Sequence, residues 1–291
     1  MAISRGSVQH SLVYDFTTFL YSNLNPFILK RPKKSHLNKV EDKFNYYFAP
    51  YKTTFFPYAR TSLHSIVSSL KIPQGSTVLM TPINIAPMVS VIESLNLKIK
   101  FIDINLQDFG PKYELLEDYL AEKPSFFFLT YLFGYVPNIN FISKMCDKYN
   151  IPLIEDISQS IGSRYKGKLL GTFGEAAICS TSLTKYIDGY SGGFALTKDF
   201  LTKDIKKYSE KLSDPNPKRI KKIILKTFIW NMSLNKYIFS LFTYPLLFLL
   251  RKYQRKLFEK LLGGSITKSK FKKIPSFYFE AISLIQLKTI N

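Results

Sequence analysis

The feature that most limits the fold of this chain is the alternation of short apolar runs with amphipathic stretches between residues 53 and 197. This alternation is typical of βαβ units, which place strands in a mainly parallel sheet with helices on its faces. The sequence therefore predicts an α/β fold. The predicted strands are 78–81, 99–102, 126–130, 153–155, 176–180 and 193–197, and the predicted helices between them are 61–70, 87–95, 113–121 and 142–149.

The size and cysteine content fit a globular protein of a reducing compartment. With 291 residues and 46% hydrophobic content, the chain can bury the core of one large domain or two smaller ones. Cys146 and Cys179 lack the CxxC spacing of a zinc site and do not form a disulfide framework. The first residues lack the apolar core of a secretory signal. We expect a cytoplasmic protein.

The positive charge is concentrated in the last third of the chain. The net charge is +20, and residues 201–291 hold 20 Lys and Arg against 5 Asp and Glu, which is 15 of the excess charges. Such a surface suits nucleic acid, an anionic membrane or phosphorylated small molecules, and charge alone does not choose between them. We do not expect nucleic acid, because the aromatic residues are not interleaved with basic ones in a known module.

Residues 223–250 are strongly apolar, and 237–250 carry no charge. Fourteen uncharged residues are too few to span a bilayer comfortably as a helix, and Pro245 interrupts them. Two interpretations remain open: a helix pair packed on the main domain or on a dimer partner, or a helix attached to a membrane surface. We predict an N-terminal arm over 1–50, an α/β domain over 51–200, and a basic and apolar helical segment over 201–291.

Polar residues with a regular spacing follow the later strands. Alone, each has an ordinary structural explanation, such as a cap, a buried hydroxyl or a surface lysine. Because the carboxyl ends of parallel strands meet at one edge, we expect Asp156, Ser180 and Lys185 to converge there, where open α/β proteins bind ligands. The motif positions are Asp156, Gln159 and Gly162, then Lys166, Gly167, Lys168 and Gly171, then Ser180, Lys185, Gly192 and Gly193.

The order and spacing of these motifs resemble the DegT/StrS-type sugar aminotransferases, which are fold-type I pyridoxal-phosphate enzymes. The resemblance begins near Val40 and continues to the end of the chain, where 276–287 is similar to a family helix. It implies the large domain of that fold. Lys185 would carry the cofactor and move the catalytic proton, and Asp156 would keep the pyridine nitrogen protonated.

The same resemblance assigns the remaining cofactor contacts. Gln159 would bond near the phenolic oxygen of the ring, and Ser180 would bind the phosphate. The turn Arg60-Thr61-Ser62 at the start of the first helix matches the family's phosphate-binding turn, where N–H groups at a helix N-terminus meet an anion.

The function implied by the resemblance is transamination of a keto-sugar nucleotide with glutamate or glutamine as amino donor. Surface polysaccharide or amino-sugar biosynthesis is the expected setting, and a homodimer with composite sites is the expected assembly. Lys185 argues against the family's dehydratase branch, which has a histidine at that place.

Several features depart from the family pattern. The segment 82–86 offers no aromatic residue to stack on the cofactor, Tyr190-Ser191 stands where the family often has Gly-Glu, and Lys272 stands where an asparagine is typical. The chain also ends inside the helix that leads to the family's small C-terminal domain, which we therefore expect to be missing. The alternative function is a catalytically degenerate or truncated relative that binds a partner or a membrane, peripheral to its inner face.

Two further polar residues predict structure, not chemistry. Glu155 neighbours Asp156 on a strand, so it should point to the opposite face and form no carboxylate pair with it. His64 lies on an apolar helix and is expected to be a satisfied core or interface histidine.

Overall fold

A computed structural model describes residues 11–24, 34–183, 185–212 and 217–257, with the side chains of 34–37 and 219 excepted. The predicted contributions of Lys272 and of 276–287 lie outside these residues.

The strands form a seven-stranded sheet with a small hairpin beside it. The sheet order is β1-β9-β8-β5-β4-β2-β3, and only β9 runs opposite to the other six strands. β6 and β7 pair as the hairpin. The strands are β1 (Lys52–Phe56), β2 (Thr77–Met80), β3 (Lys98–Phe101), β4 (Phe127–Thr130), β5 (Leu153–Asp156), β6 (Arg164–Tyr165), β7 (Lys168–Leu169), β8 (Ala176–Ser180) and β9 (Gly193–Thr197).

The helices precede, separate and follow these strands. They are α1 (Leu12–Leu24), α2 (Lys34–Tyr47), α3 (Ala59–Ser69), α4 (Ala86–Ser94), α5 (Tyr113–Ala121), α6 (Ile139–Tyr149), α7 (Asp199–Glu210), α8 (Pro217–Ser233), α9 (Lys236–Ile238) and α10 (Tyr244–Tyr253), with a π-helical turn, Phe239–Thr243, between the last two.

The predicted α/β class is confirmed. All six predicted strands and all four predicted helices are present, each ending within three residues of its predicted end. The sequence analysis did not predict β1, the β6–β7 hairpin or α1. β1 pairs only with β9, about 140 residues later, so its pairing has no local signal in the sequence.

Alternation along the strands divides the core between the two faces of the sheet. Phe127, Leu129 and Phe194 pack with α2 and α6 on one face. Phe128 and Ile154 pack with α3 and α4 on the other. The face that carries α3 is the one toward which Asp156 and Ser180 alternate, two residues after Ile154 and Ile178.

The core extends past both predicted domain boundaries. Phe44 and Phe48 of the predicted arm are buried in one cluster, and Leu201 and Ile205 of α7 are buried in the other. The division at residues 50 and 200 stays a prediction.

The last described helices differ sharply in burial. α8 buries Ile220 and Ile224 and packs along α1, whereas α9, the π-helical turn and α10 contain no buried residue. Within the described residues, no single helix is both long and apolar enough to cross a membrane. Ile220–Ser233 and Lys236–Tyr253 meet that criterion only together, by length and composition, and they are bent by 72°.

Candidate active site

The carboxyl edge of the sheet gathers the residues that the sequence singled out. β4, β5 and β8 end at this edge with Thr130, Asp156 and Ser180. β9 runs antiparallel to β8, so the connection that carries Lys185 leaves and re-enters the sheet at the same edge. The predicted convergence of Asp156, Ser180 and Lys185 is therefore present.

Asp156 is a buried acid, and the charge of Lys185 is among the influences on its pKa. Its Oδ1 accepts a hydrogen bond from the Ser158 N–H at 2.9 Å. Burial raises the pKa of the Asp156 carboxyl above its usual range, while the hydrogen bonds from Ser158 and the positive charge of Lys185 act in the opposite direction. Asp156 is thus buried at the edge of the sheet where the Lys185 loop leaves β8.

The connection between β8 and β9 is held by its own polar groups. The Lys185 N–H donates to the Ser182 carbonyl at 3.1 Å, and the hydroxyls of Ser180 and Ser182 are 2.9 Å apart. At the base, Thr181 N–H donates to the Gly192 carbonyl at 3.1 Å. Lys185 therefore projects from a loop whose two ends are fixed in adjacent strands.

Ser158 is a site residue to which the sequence analysis gave no role. Besides bonding Asp156, its Oγ accepts a hydrogen bond from the Ser180 N–H at 2.9 Å, which joins the ends of β5 and β8. The signal was the Asp-x-Ser spacing, because an aspartate commonly bonds the backbone N–H two residues later.

Gln159 lies next to the segment that follows β4. Its Oε1 accepts a hydrogen bond from the Phe133 N–H at 3.2 Å. Phe133 has a φ of 59°, in the left-handed region that non-glycine residues seldom adopt. Its exposed ring contacts that of Phe109, which in turn contacts that of Tyr135, so an aromatic cluster that the sequence analysis missed adjoins Gln159.

The predicted phosphate-binding turn forms the first turn of α3. Thr61 and Ser62 are buried, and their N–H groups both donate to the Tyr58 carbonyl, at 3.0 and 3.1 Å. The Arg60 guanidinium lies over the Tyr58 ring, 3.9 Å from its centroid. No side chain caps this helix, and its first turn contains no acid.

Gly193 brings this turn of α3 against the strand ends. It lies opposite Ser180 in the β8–β9 register. A Cβ added at Gly193 would lie 2.4 Å from the Ala59 backbone nitrogen, so only glycine permits this approach. The two groups expected to bind phosphate, Ser180 and the start of α3, are therefore neighbours.

The segment 82–86 contributes an amide where the family has an aromatic. Asn84 Nδ2 donates to Thr130 Oγ1 at 2.6 Å, which ties the segment to the end of β4. Beside it, Thr81 Oγ1 is buried and has no hydrogen-bond partner among the described residues.

Tyr190, at the position of a family glycine, makes a buried link to α1. Its hydroxyl donates to Asp15 Oδ1 at 2.6 Å, and Asn231 Nδ2 of α8 donates to Asp15 Oδ2 at 2.7 Å. Asp15 is fully buried. The lysine loop is thereby attached to the α1–α8 pair.

The two residues expected to be structural have the predicted positions. Glu155 points away from Asp156 and accepts hydrogen bonds from Tyr131 and from a turn of the chain, residues 171–174. His64 Nδ1 lies 2.9 Å from the Tyr208 hydroxyl, and burial lowers the pKa of the imidazole.

Comparison with known proteins gives this arrangement a family. The sequence model of the DegT/DnrJ/EryC1/StrS aminotransferase family matches residues 34–230. The chain belongs to this family. The match contains every candidate site residue, from Arg60 to Lys185, so the resemblance found in the sequence motifs is confirmed.

Individual members of the family are similar over part of their length. GDP-perosamine synthase of Escherichia coli is 25% identical over 167 residues, 57% of this chain and 46% of that protein. UDP-4-amino-4,6-dideoxy-N-acetyl-beta-L-altrosamine transaminase of Campylobacter jejuni is 31% identical over 144 residues, 48% of this chain and 38% of that one. The chain spans about half the length of the relatives it matches.

Solved structures share the fold of this aminotransferase-family chain. An aminotransferase from Psychrobacter cryohalolentis superposes with a TM-score of 0.62 at 20% identity, covering 70% of this chain and 52% of that one. E. coli GDP-4-keto-6-deoxy-D-mannose-3-dehydratase with bound hydrated PLP gives 0.59 at 18% identity, covering 68% and 52%.

Proposed function

We propose that this chain is a pyridoxal-phosphate-dependent aminotransferase that acts on a keto-sugar nucleotide, with glutamate or glutamine as amino donor, in surface polysaccharide or amino-sugar biosynthesis. The observation that carries the proposal is the convergence of the buried Asp156, Ser180 and the loop that carries Lys185 at the carboxyl edge of the sheet. An amine and an acid in one site are the two ionisable groups that this chemistry needs.

The surrounding residues fit the cofactor. Pyridoxal phosphate carries an anionic phosphate, and the uncapped, acid-free first turn of α3 offers a positive helix end with Thr61 and Ser62 hydroxyls. Ser180 lies beside that turn through Gly193. Asp156 supplies a counter-charge for the pyridine nitrogen, and Gln159 supplies an amide for the ring substituents.

Asp156, Ser158 and Lys185 would have different roles in the proposed transamination. When bound, the cofactor supplies an electron sink for the substrate carbon. The Asp156 carboxylate holds a proton on the pyridine nitrogen, and Ser158 keeps that carboxylate in place. The Lys185 amine would move a proton between the substrate carbon and the C4′ carbon of the cofactor, which requires an amine that is neutral for part of the cycle.

The names of two relatives support the proposed substrate class. GDP-perosamine synthase and the altrosamine transaminase are named for nucleotide-linked amino sugars, so a nucleotide-linked keto sugar is the proposed acceptor. We also propose a homodimer in the cytoplasm, peripheral to the inner face of the membrane. Sedimentation velocity would test the dimer, which has twice the 33.7 kDa mass of one chain.

The first experiment is a visible absorption spectrum of the purified protein with pyridoxal phosphate, before and after borohydride. We expect a visible absorption band that borohydride abolishes while it fixes the cofactor covalently to the chain. Neither the band nor the attachment should occur in Lys185→Ala. Lys203→Ala, an exposed lysine on α7, is the control and should keep the band. Loss of the band on adding glutamate or glutamine would identify the donor.

The second candidate is a catalytically degenerate or truncated relative that serves as a binding partner. Its support is the departure from the family pattern at Tyr190, whose hydroxyl ties the lysine loop to Asp15. The same spectrum separates the two candidates, because a folded protein without a Lys185-dependent band would leave only this one.

A further inference from the structure

The final described helices present an unusual surface, which we name the exposed helical segment and define as residues 236–253. It comprises α9, the π-helical turn and α10, and none of its side chains is buried. Large apolar side chains point outward on it, among them Leu241, Phe242, Leu246 and Phe248, each more than half exposed. Soluble proteins rarely expose such a contiguous apolar surface without a partner for it.

The charged residues of the chain within and beside this segment are all positive. Residues 217–257 contain ten Lys or Arg and no Asp or Glu. Lys236 begins the exposed helical segment, and Arg251 and Lys252 close its uncharged part, 237–250. An apolar surface with a basic surround matches an anionic partner that also offers a hydrocarbon phase.

The uncharged part of this segment, 237–250, is too short for a single crossing as a helix. Fourteen helical residues extend about 21 Å at 1.5 Å per residue, which is short of the roughly 30 Å of a bilayer's hydrocarbon core. The 72° bend between Ile220–Ser233 and Lys236–Tyr253 also prevents one straight helix. A helix of this length with charged ends fits the plane of the interface.

The segment is fixed to the domain on one side. α8 is anchored in the core through Ile220 and Ile224. Across the bend, Thr243 Oγ1 donates to the Ser233 carbonyl at 2.9 Å, so the exposed helical segment has a defined direction relative to α8. The exposed helical segment is therefore already helical before it docks.

We propose that the exposed helical segment docks this protein on an anionic bilayer surface, with its apolar side chains at the acyl boundary and its basic ends at the headgroups. Docking would hold the enzyme at a membrane whatever its substrate. The inference does not depend on the proposed function, because vesicle binding is measured without cofactor or substrate.

The test is co-sedimentation of the full chain with vesicles of phosphatidylglycerol and phosphatidylethanolamine, against vesicles of phosphatidylcholine alone. We expect binding to the anionic vesicles that is at least tenfold stronger and weakens in high salt. Phe242→Ser with Leu246→Ser should lower the bound fraction at least fivefold. Leu106→Ser with Phe200→Ser, two exposed apolar residues elsewhere, is the matched control and should bind like the wild type.

The charge is tested in the same way. Arg251→Gln with Lys252→Gln should reduce binding to anionic vesicles severalfold, whereas Lys203→Gln with Lys207→Gln, the same charge change on α7, should not. Circular dichroism would confirm that all variants are folded. The proposal would be overturned by equal binding to neutral and anionic vesicles, or by no binding to either kind. It would also be overturned if the chain did not bind vesicles but self-associated, and Phe242→Ser with Leu246→Ser abolished that self-association.

Discussion

Two neighbouring acids on β5, Asp156 and Glu155, point to opposite faces of the sheet and have different roles. The Asp156 side chain faces the lysine loop and accepts a hydrogen bond from the Ser158 N–H. The Ser158 hydroxyl oxygen in turn accepts a hydrogen bond from the Ser180 N–H. Glu155 faces the other way and is fully enclosed by donors. The sequence predicted their opposite directions from the period of a strand, but the donors around Glu155 come from a turn whose conformation has no such period.

Glu155→Gln should destabilise the fold strongly. Glu155 Oε1 accepts from the N–H groups of Phe173 and Gly174, and Oε2 accepts from the Tyr131 hydroxyl and the Gly171 N–H. A glutamine amide would turn an NH₂ group toward two of these donors. We expect a loss of about 2–4 kcal/mol, measured by urea unfolding. Glu114→Gln on the exposed side of α5 is the control, and a comparably small loss for both variants would contradict the account.

Asp156→Asn should become relatively more stable as pH rises. Burial raises the Asp156 pKa above its ordinary 3.8, so the folded state holds this proton more tightly than the unfolded chain does. The wild type therefore loses stability as pH climbs from 3.8 through the raised pKa, by about 1.4 kcal/mol for each pH unit that separates the folded and unfolded pKa values. Asparagine avoids this loss.

The measurement for Asp156→Asn is urea unfolding at pH 4 and pH 7. The stability difference between variant and wild type should move in favour of the variant at pH 7. Asp118→Asn on α5 is the control. A difference that favours the wild type more at pH 7 would mean that the charge of Lys185 outweighs burial at this site.

At the scale of elements, the sequence predicted the pieces that have local signals. Apart from the β6–β7 hairpin, the strands and helices from α3 to β9 follow from their apolar periods and turn residues. The turn predicted to bind phosphate forms the start of α3. β1 was missed because its partner β9 is remote, and the attachment of α1 was missed because Asp15, Tyr190 and Asn231 share no motif. Nothing in the sequence around Phe133 predicted that its N–H binds Gln159.

Asp15→Ala should loosen the lysine loop as well as the α1–α8 pair. The substitution leaves the buried Tyr190 hydroxyl and the Asn231 amide without their carboxylate. We expect a loss of about 3 kcal/mol in unfolding free energy. Limited trypsin digestion should also cut after Lys185 faster than in the wild type, and Asp118→Ala should change neither. Loss of stability without faster cleavage would show that the link does not restrain the loop.

At the scale of the whole molecule, both faces of the sheet depend on residues past the predicted boundary at 200. Leu201 and Ile205 of α7 fill one core cluster, and Ile220 and Ile224 of α8 fill the other. A fold confined to 51–200 would therefore expose apolar surface on both faces.

A chain ended after residue 200 should fail to unfold cooperatively, whereas one ended after residue 257 should keep a single transition. Four buried aliphatic side chains at about 1.5–3 kcal/mol each approach the whole stability of a domain, about 5–15 kcal/mol. Thermal unfolding followed by circular dichroism measures the outcome. Matching transitions in the two chains would support the predicted boundary at 200.

The hydrogen bond between Asp15 of α1 and Asn231 of α8 can form only late in the synthesis of the chain. The two residues are 216 positions apart, and at about 5–20 residues per second a ribosome needs roughly 10–40 s to make the chain between them. Throughout that interval α1 has been made without α8, against which it packs in the folded chain. The first of the described helices to be made is therefore among the last to reach its final packing.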